Sequence, residues 1–250
     1  MNILTPGFAP GPMNLSIRRA ACAPWSEKRQ AFASLGRSFR GCMIGAMPWR
    51  VLAFVTLMLA LSGLAWAAGD VGRVSRVQGR VTARGAASPH VVSLDDAVLA
   101  GETLTTGDKA RAELTMDDGS VVTLSENTEF TVTVFDQAKA KARFELLRGA
   151  FRTATGTIAQ AMAPDFEVKT PLATIGIRGT DFWGGFFSAA DFGVFMVSGK
   201  EVVIRNQAGS QVITSPGQGV TVRGANTAPE APVIWSESKV QRAIKTVSFR

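Results

Sequence analysis

The chain has 250 residues, of which 46% are hydrophobic and 19% are charged. This is enough for one globular domain with a substantial core, and it argues against long disordered charged tracts. The formal net charge is +7, but seven Lys/Arg residues and a single acid lie within residues 1–67, whereas bases and acids nearly balance in residues 68–250. Because phosphate binding requires clustered cations, we expect no nucleic-acid partner.

Cysteine and histidine are too scarce for several kinds of site. Both cysteines, Cys22 and Cys42, lie in the N-terminal region, and His90 is the only histidine. Residues 68–250 therefore hold neither a disulfide framework nor a Cys-based zinc site, and any Ser-His-Asp or multi-histidine mechanism would depend on one residue. We expect no metal or other cofactor there and assign no catalytic residue.

The N-terminal region carries an export signal. A basic residue precedes the apolar run 51–61, and Ala65 and Ala67 supply small residues at positions −3 and −1 before Ala68. A basic residue, an apolar run and a small-residue site in this order are typical of a secretory signal peptide. We therefore predict that residues 47–67 are a signal peptide that is cleaved before Ala68.

The region in front of this segment is too long for a signal peptide. Counted from Met1, the part before the apolar run alone exceeds the whole length of a signal peptide, about 15–30 residues. We infer that translation begins at Met43 or Met47 and that residues 1–46 are a basic arm with a mis-assigned start.

An uncleaved membrane anchor is the alternative for the same segment. The apolar stretch 51–68 has 18 residues, the lower limit for a spanning helix. The basic residues before it place residues 68–250 outside the cytoplasm in both cases. The product is periplasmic or secreted if cleaved, and a single-pass inner-membrane protein if not, so the membrane is a partner only in the second case.

Residues 68–224 have the pattern of a β domain. Ala112, Leu114 and Met116 alternate with polar residues, as in a half-buried strand. Asp118-Gly119 then separates this run from another apolar run, which predicts a hairpin because such turns favour Asp-Gly. Residues 138–147 are compatible with a short helix or with the arm of a charged hairpin.

A loose internal repeat suggests how the strands are arranged. Three segments place a glycine between two apolar strand ends: 77–81 around Gly79, 147–151 around Gly149 and 197–202 around Gly199. Short strands punctuated by glycine are typical of a β-roll or solenoid-like fold as well as of a sandwich. The sequence leaves these all-β alternatives open.

The C-terminal part, residues 225–250, differs from the rest. Residues 225–232 are a Pro/Ala-rich linker, and Ser236 is a candidate cap for a short helix with an apolar face. That face contains Val240, Ala243, Ile244 and Val247. We expect the helix to dock on the β domain, with binding to a partner as the alternative.

An ordered set of short motifs runs through residues 71–183. No single motif is specific, but their order resembles that of a FecR domain, the extracytoplasmic module named after the ferric-citrate signalling regulator. The motifs include Val77–Val81 with Gly79, Gly101–Leu104, Asp118-Gly119-Ser120, Leu147–Gly149, Thr170-Pro171 and Gly179-Thr180.

The resemblance implies a non-catalytic, all-β module of the periplasm or cell surface that acts in sensing and protein contacts. In well-known members a cytoplasmic anti-sigma segment precedes a single membrane helix. Residues 1–46 show no amphipathic helical bundle of that kind. We therefore expect a stand-alone exported FecR-domain protein with an envelope protein as its partner.

Two clusters are candidates for function. Asp165 and Glu167 share a strand face about 6.6 Å apart along the chain, within the roughly 6.5–9.5 Å range of the carboxyl groups of inverting glycosidases. They define the alternative function, a hydrolase of envelope polysaccharide, although a solvated charged face is favoured. Trp183, Phe186 and Phe187 flank Gly184-Gly185 and form a candidate contact patch, with burial in the core as the alternative.

Overall fold

The structure is a computed structural model that describes residues 69–85 and 88–250. The arm 1–46, the signal-peptide or anchor segment 47–67 and Ala68 lie outside the described residues. Regular structure in the described part is almost entirely β, with one α-helix at the end, which confirms the all-β class. The strands are β1 (Asp70–Gln78), β2 (Val81–Arg84), β3 (His90–Val91), β4 (Ala97–Leu99), β5 (Thr103–Thr106), β6 (Arg111–Met116), β7 (Val121–Leu124), β8 (Glu129–Asp136), β9 (Lys141–Arg148), β10 (Ala150–Ala154), β11 (Asp165–Lys169), β12 (Thr174–Phe186), β13 (Asp191–Asn206), β14 (Gly209–Ile213), β15 (Gln218–Arg223) and β16 (Val233–Ile234).

The helix α1 (Glu237–Val247) follows β16, directly after Ser236 as the sequence predicts. Ser236 has the extended backbone of an N-cap, but its side chain makes no capping hydrogen bond. Within residues 69–85 and 88–250, no helix has the length and apolar character needed to cross a bilayer.

The strands form one curled sheet with two halves. Pairs of consecutive strands, such as β1–β2 and β9–β10, turn a corner and place one strand in each half. Half A contains β3, β2, β5, β8, β9 and β11 in spatial order, and half B contains β4, β1, β6, β7 and β10. The start of β12 pairs with β11 in half A, and its end pairs with β10 in half B. Strand β13 runs back from β15 in half B to β14 in half A. All these neighbours are antiparallel except β9 and β11.

Glycines with positive φ lie at corners between the halves, among them Gly79, Gly149, Gly179 and Gly199. The angle is +72° at Gly79 between β1 and β2, +86° at Gly149 between β9 and β10, and +57° and +125° at Gly179 and Gly199 within β12 and β13. Residues with a side chain rarely adopt such angles. The strand–glycine–strand repeat of the sequence therefore marks the corners of a roll.

The two halves face each other across one core. Phe130 of half A and Phe151 of half B have ring centroids 5.7 Å apart. The alternating residues Ala112, Leu114 and Met116 are all buried in this core, because successive side chains of a strand point to opposite faces. The period-two prediction for β6 is confirmed.

Both turn predictions within residues 111–147 can be compared with the structure. Asp118 and Gly119 connect β6 and β7 as an antiparallel hairpin, and Gly119 has φ +83°. Residues 138–147 are not helical: they form a turn and then most of β9, which pairs antiparallel with β8. The hairpin alternative was therefore the correct one.

A smaller apolar cluster lies on the outer face of half B. It joins the domain to the C-terminal helix, as the sequence predicts for this helix. The cluster comprises Ala150, Trp183, Phe195, Trp235, Ala243 and Val247. The helix thus covers a sheet face that would otherwise be solvated on an antiparallel sheet.

Candidate contact surface

The Asp118 turn is a buried hydrogen-bond centre. Asp118 is 3% exposed, and its carboxylate accepts bonds from the backbone N–H of Ser120 (2.8 Å), the Ser120 hydroxyl (2.9 Å) and the backbone N–H of Ile158 (3.2 Å). The Ser120 hydroxyl oxygen in turn accepts from the N–H of Gly156 at 2.8 Å. All these partners are donors of the protein itself, so this motif holds two loops together.

The Thr170-Pro171 and Gly179-Thr180 motifs also lie at turns and corners. The Thr170 hydroxyl donates to the carbonyl of Ala173 (2.9 Å) and accepts from its N–H (3.0 Å), which closes the turn between β11 and β12. The Thr180 hydroxyl donates to the carbonyl of Glu201 at 3.1 Å and ties the corner of β12 to β13. Pro171 lies within the Thr170 turn.

Asp165 and Glu167 are paired with arginines. Arg143 donates from Nη2 to Asp165 Oδ2 at 2.9 Å, and Arg205 contacts Glu167 directly. Lys141 also lies 3.5 Å from Asp165. Asp165 is therefore held in an ion pair with β9, and Glu167 in one with β13, which is separated from β11 by β12.

The aromatic candidate patch is only partly exposed. Trp183 is buried, at 1% exposure, so its assignment to an exposed patch was wrong. Period-two reasoning places it on the outer face of half B, but this face is covered by α1. Phe186 is half-buried and packs on Phe192 with ring centroids 4.9 Å apart, whereas Phe187 remains 38% exposed.

Trp235 lies at the centre of this surface, and sequence reasoning missed it. Its ring stacks on Phe195 (5.4 Å between centroids) and contacts Phe187 (5.9 Å) and Trp183 (6.1 Å). A side chain on Gly219 would overlap the indole, so the close approach of Trp235 requires glycine there. The available signal was a tryptophan three residues after the end of the Pro/Ala linker.

Two cations flank the exposed ring of Phe187. Lys239 Nζ lies 5.4 Å from the Phe187 centroid and 3.8 Å from that of Trp235, and Arg242 Cζ lies 5.7 Å from Phe187. Such cation–π contacts are individually weak at exposed sites. Burial is the main cause that lowers the pKa of Lys239, opposed in part by the carboxylate of Glu230. We call Phe187, Lys239 and Arg242 the Phe187 patch.

The solvent side of α1 continues the patch. Arg242 and Lys245 lie there, and none of the ion pairs among residues 69–85 and 88–250 involves them or Lys239. Glu237, the one acid of the helix, accepts a hydrogen bond from Gln241. The surface therefore presents an aromatic ring among positive charges that form no ion pair with the described residues.

The part of the chain that the structure describes contains no group of three or more Asp, Glu, His or Cys side chains placed to hold a metal ion. His90 lies in the short edge strand β3, exposed, with its Nδ1 3.4 Å from the carbonyl of Ser88.

Comparison with protein families gives a match to the family described as FecR protein over residues 102–200. This range begins just before β5 and ends within β13, and it contains the Asp118, Gly149, Thr170 and Gly179 motifs. The resemblance deduced from the sequence is thereby confirmed for these residues. A comparison with curated proteins gives no match.

Comparison with solved structures gives two crystal structures of a candidate anti-sigma factor from Parabacteroides distasonis ATCC 8503. Each aligns at 16% identity with a TM-score of 0.47, over 56% of this chain and 62% of the other. The chain thus spans less than two thirds of that protein. A cell surface anchoring domain aligns at 24% identity with a TM-score of 0.24, over 24% of this chain and 82% of the other.

Proposed function

We propose that this chain, whose residues 102–200 form a FecR domain, is a non-enzymatic signalling module that acts in the cell envelope through protein contacts. The family match is the observation that carries the proposal, because FecR domains serve signalling. We propose a sensor or adaptor role for residues 68–250.

The state of the carboxylates supports a non-enzymatic role. Asp165 and Glu167, the pair considered for polysaccharide hydrolysis, are bound to Arg143 and Arg205. A glycosidase presents two carboxyl groups to its substrate, and here both are already occupied by cations of the chain itself.

The Phe187 patch is the proposed contact surface. Exposed aromatic rings and arginines are enriched at the centres of interfaces, and Phe187 lies beside Arg242 and Lys239. The positive charges without ion-pair partners suit an acidic partner surface with an apolar centre. We therefore propose an envelope protein with such a surface as the partner.

Export is part of the proposal and is supported by the sequence alone. The Ala65-x-Ala67 site places the mature N-terminus at Ala68. N-terminal sequencing of the protein recovered from the periplasm tests this. A full-length species retained in the inner membrane would support the anchor alternative instead.

The contact proposal is tested by changing Phe187 without disturbing the fold. Phe187→Ser should still unfold in one cooperative transition, although it loses the ring contact with Trp235, and should lose proteins that cross-link to the wild type in envelope preparations. The matched control is Val212→Ser, which changes a similarly exposed residue (41%) on the edge strand β14. Equal loss in both variants, or no loss in Phe187→Ser, would reject the Phe187 patch.

A further inference from the structure

The C-terminal segment Val233–Arg250 covers a surface that is shaped to receive it. The outer face of half B lacks side chains at Gly193 and Gly219, and a Cβ at Gly193 would come within 2.9 Å of the Trp235 ring. Trp235 fills the space that these two glycines leave and stacks on Phe195. The segment therefore docks mainly by placing one tryptophan into a preformed groove.

The docked segment leaves polar groups without partners. Three buried side-chain nitrogen or oxygen atoms lack a hydrogen-bond partner among the described residues. Nε1 of Trp235 belongs to this segment, and Nη1 belongs to Arg111, which bonds to the segment through its Nε. Arg111 is 3% exposed, and its Nε donates to the carbonyl of Thr246 in α1 at 2.9 Å. An unpaired buried donor costs free energy that is recovered when water returns.

The connection to the rest of the chain is long. Residues 225–232 span up to about 26 Å when extended. They are tied to the domain by the Asn206 amide donating to the carbonyl of Thr227 (2.7 Å), the backbone N–H of Glu230 donating to the carbonyl of Thr221 (2.9 Å) and the exposed Arg223–Glu230 ion pair (3.0 Å), and Pro229 is buried. Exposed ion pairs contribute little. Release of Val233–Arg250 would break the two-residue pairing of β16 with β15 but none of the pairings among β1 to β15.

We propose that Val233–Arg250 is a releasable latch, and that the face beneath it is an interface that takes the same segment from a second copy of this chain. We choose a second copy as the occupant because its shape and hydrogen-bonding groups match this face. Its Trp235 fits the space over Gly193 and Gly219, and its Thr246 hydroxyl accepts a hydrogen bond from Trp183 Nε1 (3.0 Å). Mutual exchange makes the same contacts twice and closes as a two-fold dimer. The inference does not rest on the proposed function.

The first test shortens the linker so that the latch cannot reach its own face. Deletion of Asn226–Pro229 from the full-length chain should give a dimer by light scattering, with the tryptophan emission of a buried indole. The control is Thr227→Gly with Ala228→Gly, which keeps the length and should stay as monomeric as the wild type. A shortened chain that is monomeric and is cut by trypsin at Lys239 and Arg242 would overturn the proposal.

The second test keeps the natural linker, because the shortened chain can fail to fold. Tagged and untagged copies are mixed in denaturant below the global unfolding transition, returned to buffer and captured by the tag. We expect the untagged copy to be recovered. Trp235→Ala in both copies should lower recovery about a hundredfold, as expected for loss of a buried tryptophan, and Val212→Ala should not. No recovery with the wild type, or recovery that Trp235→Ala leaves unchanged, would overturn the proposal.

Discussion

Trp183 donates a hydrogen bond from its indole Nε1 to Oγ1 of Thr246 at 3.0 Å, which joins β12 to α1. The Thr246 hydroxyl donates in turn to the carbonyl of Ala243 at 2.6 Å, and its own carbonyl accepts from Arg111. One residue of the helix therefore accepts hydrogen bonds from a buried indole of the sheet and from one nitrogen of a buried guanidinium. The orientation of α1 on half B depends on this residue.

Two substitutions of Thr246 distinguish the contribution of its hydroxyl to stability from that of the rest of the side chain. Thr246→Val should destabilise the protein by about 1–3 kcal/mol, because the buried N–H of Trp183 loses its acceptor. Thr246→Ser is the matched control, since it keeps the hydroxyl. Urea denaturation followed by tryptophan fluorescence measures both variants, and equal stability of the two would contradict the role of this hydrogen bond.

Substitutions at Gly149 and Gly119 distinguish two effects of adding a side chain, the strain of a positive φ and the steric overlap with neighbouring atoms. Both have positive φ, +86° and +83°, but a Cβ at Gly149 would lie 2.5 Å from the Cα of Thr128, whereas the site at Gly119 is open. Gly119→Ala should cost about 1–2 kcal/mol for the backbone conformation alone. Gly149→Ala should cost about 1–3 kcal/mol more, because its neighbours must move. Thermal melts measure the difference, and equal losses would show that the corner does not require close packing.

The corners were accessible to sequence reasoning because each is encoded locally. A glycine between two runs of β-forming residues marks the bend at Gly79, Gly149 and Gly199, whatever the partner strands are. The order of strands in each half depends on pairings across long sequence distances, such as the parallel contact of β9 with β11. The sequence pattern contains no information on those pairings.

The contact surface was harder to predict, and Trp183 shows why. Alternation along β12 places Trp183 on the outer face, where solvent exposure is the default for an antiparallel sheet. Only the docking of α1, with Trp235 and Val247, makes that face a second core. The groove for Trp235 combines Gly193 of β13 with Gly219 of β15, which no local motif brings together.

Substitutions of the adjacent acids Asp117 and Asp118 should differ in their effect on stability. Asp118→Asn turns one carboxylate oxygen into a donor that faces the Ser120 hydroxyl and the Ile158 N–H. We expect a loss of about 1–3 kcal/mol for the buried donors left without an acceptor. Asp117→Asn, at the exposed neighbouring position, should change stability by about 0.5 kcal/mol or less. Denaturant titration distinguishes them, and a stable Asp118→Asn would show that the amide reorients within the turn.

The lowered pKa of Lys239 predicts how the docking of Val233–Arg250 responds to alkaline pH. Burial is the largest cause that lowers its pKa from the ordinary 10.5, and Arg242 and Arg223 act in the same direction against Glu230. The docked state therefore binds fewer protons than the released state in the interval between the lowered pKa and 10.5. Within that interval, docking should strengthen as the pH rises, because the released state binds more protons.

This pH effect can be isolated by a variant that removes the charge of Lys239. The chain has no tyrosine, and the contact with Asp136 raises the pKa of Lys139 out of the interval. Trypsin cleavage within α1 is too pH-dependent to serve here, so hydrogen exchange of residues 237–247, corrected for intrinsic rates, is the measurement. Protection should increase with pH in the wild type, whereas Lys239→Met, which keeps the stem without the charge, should show a flat profile. Parallel profiles for the two proteins would place the cause outside Lys239.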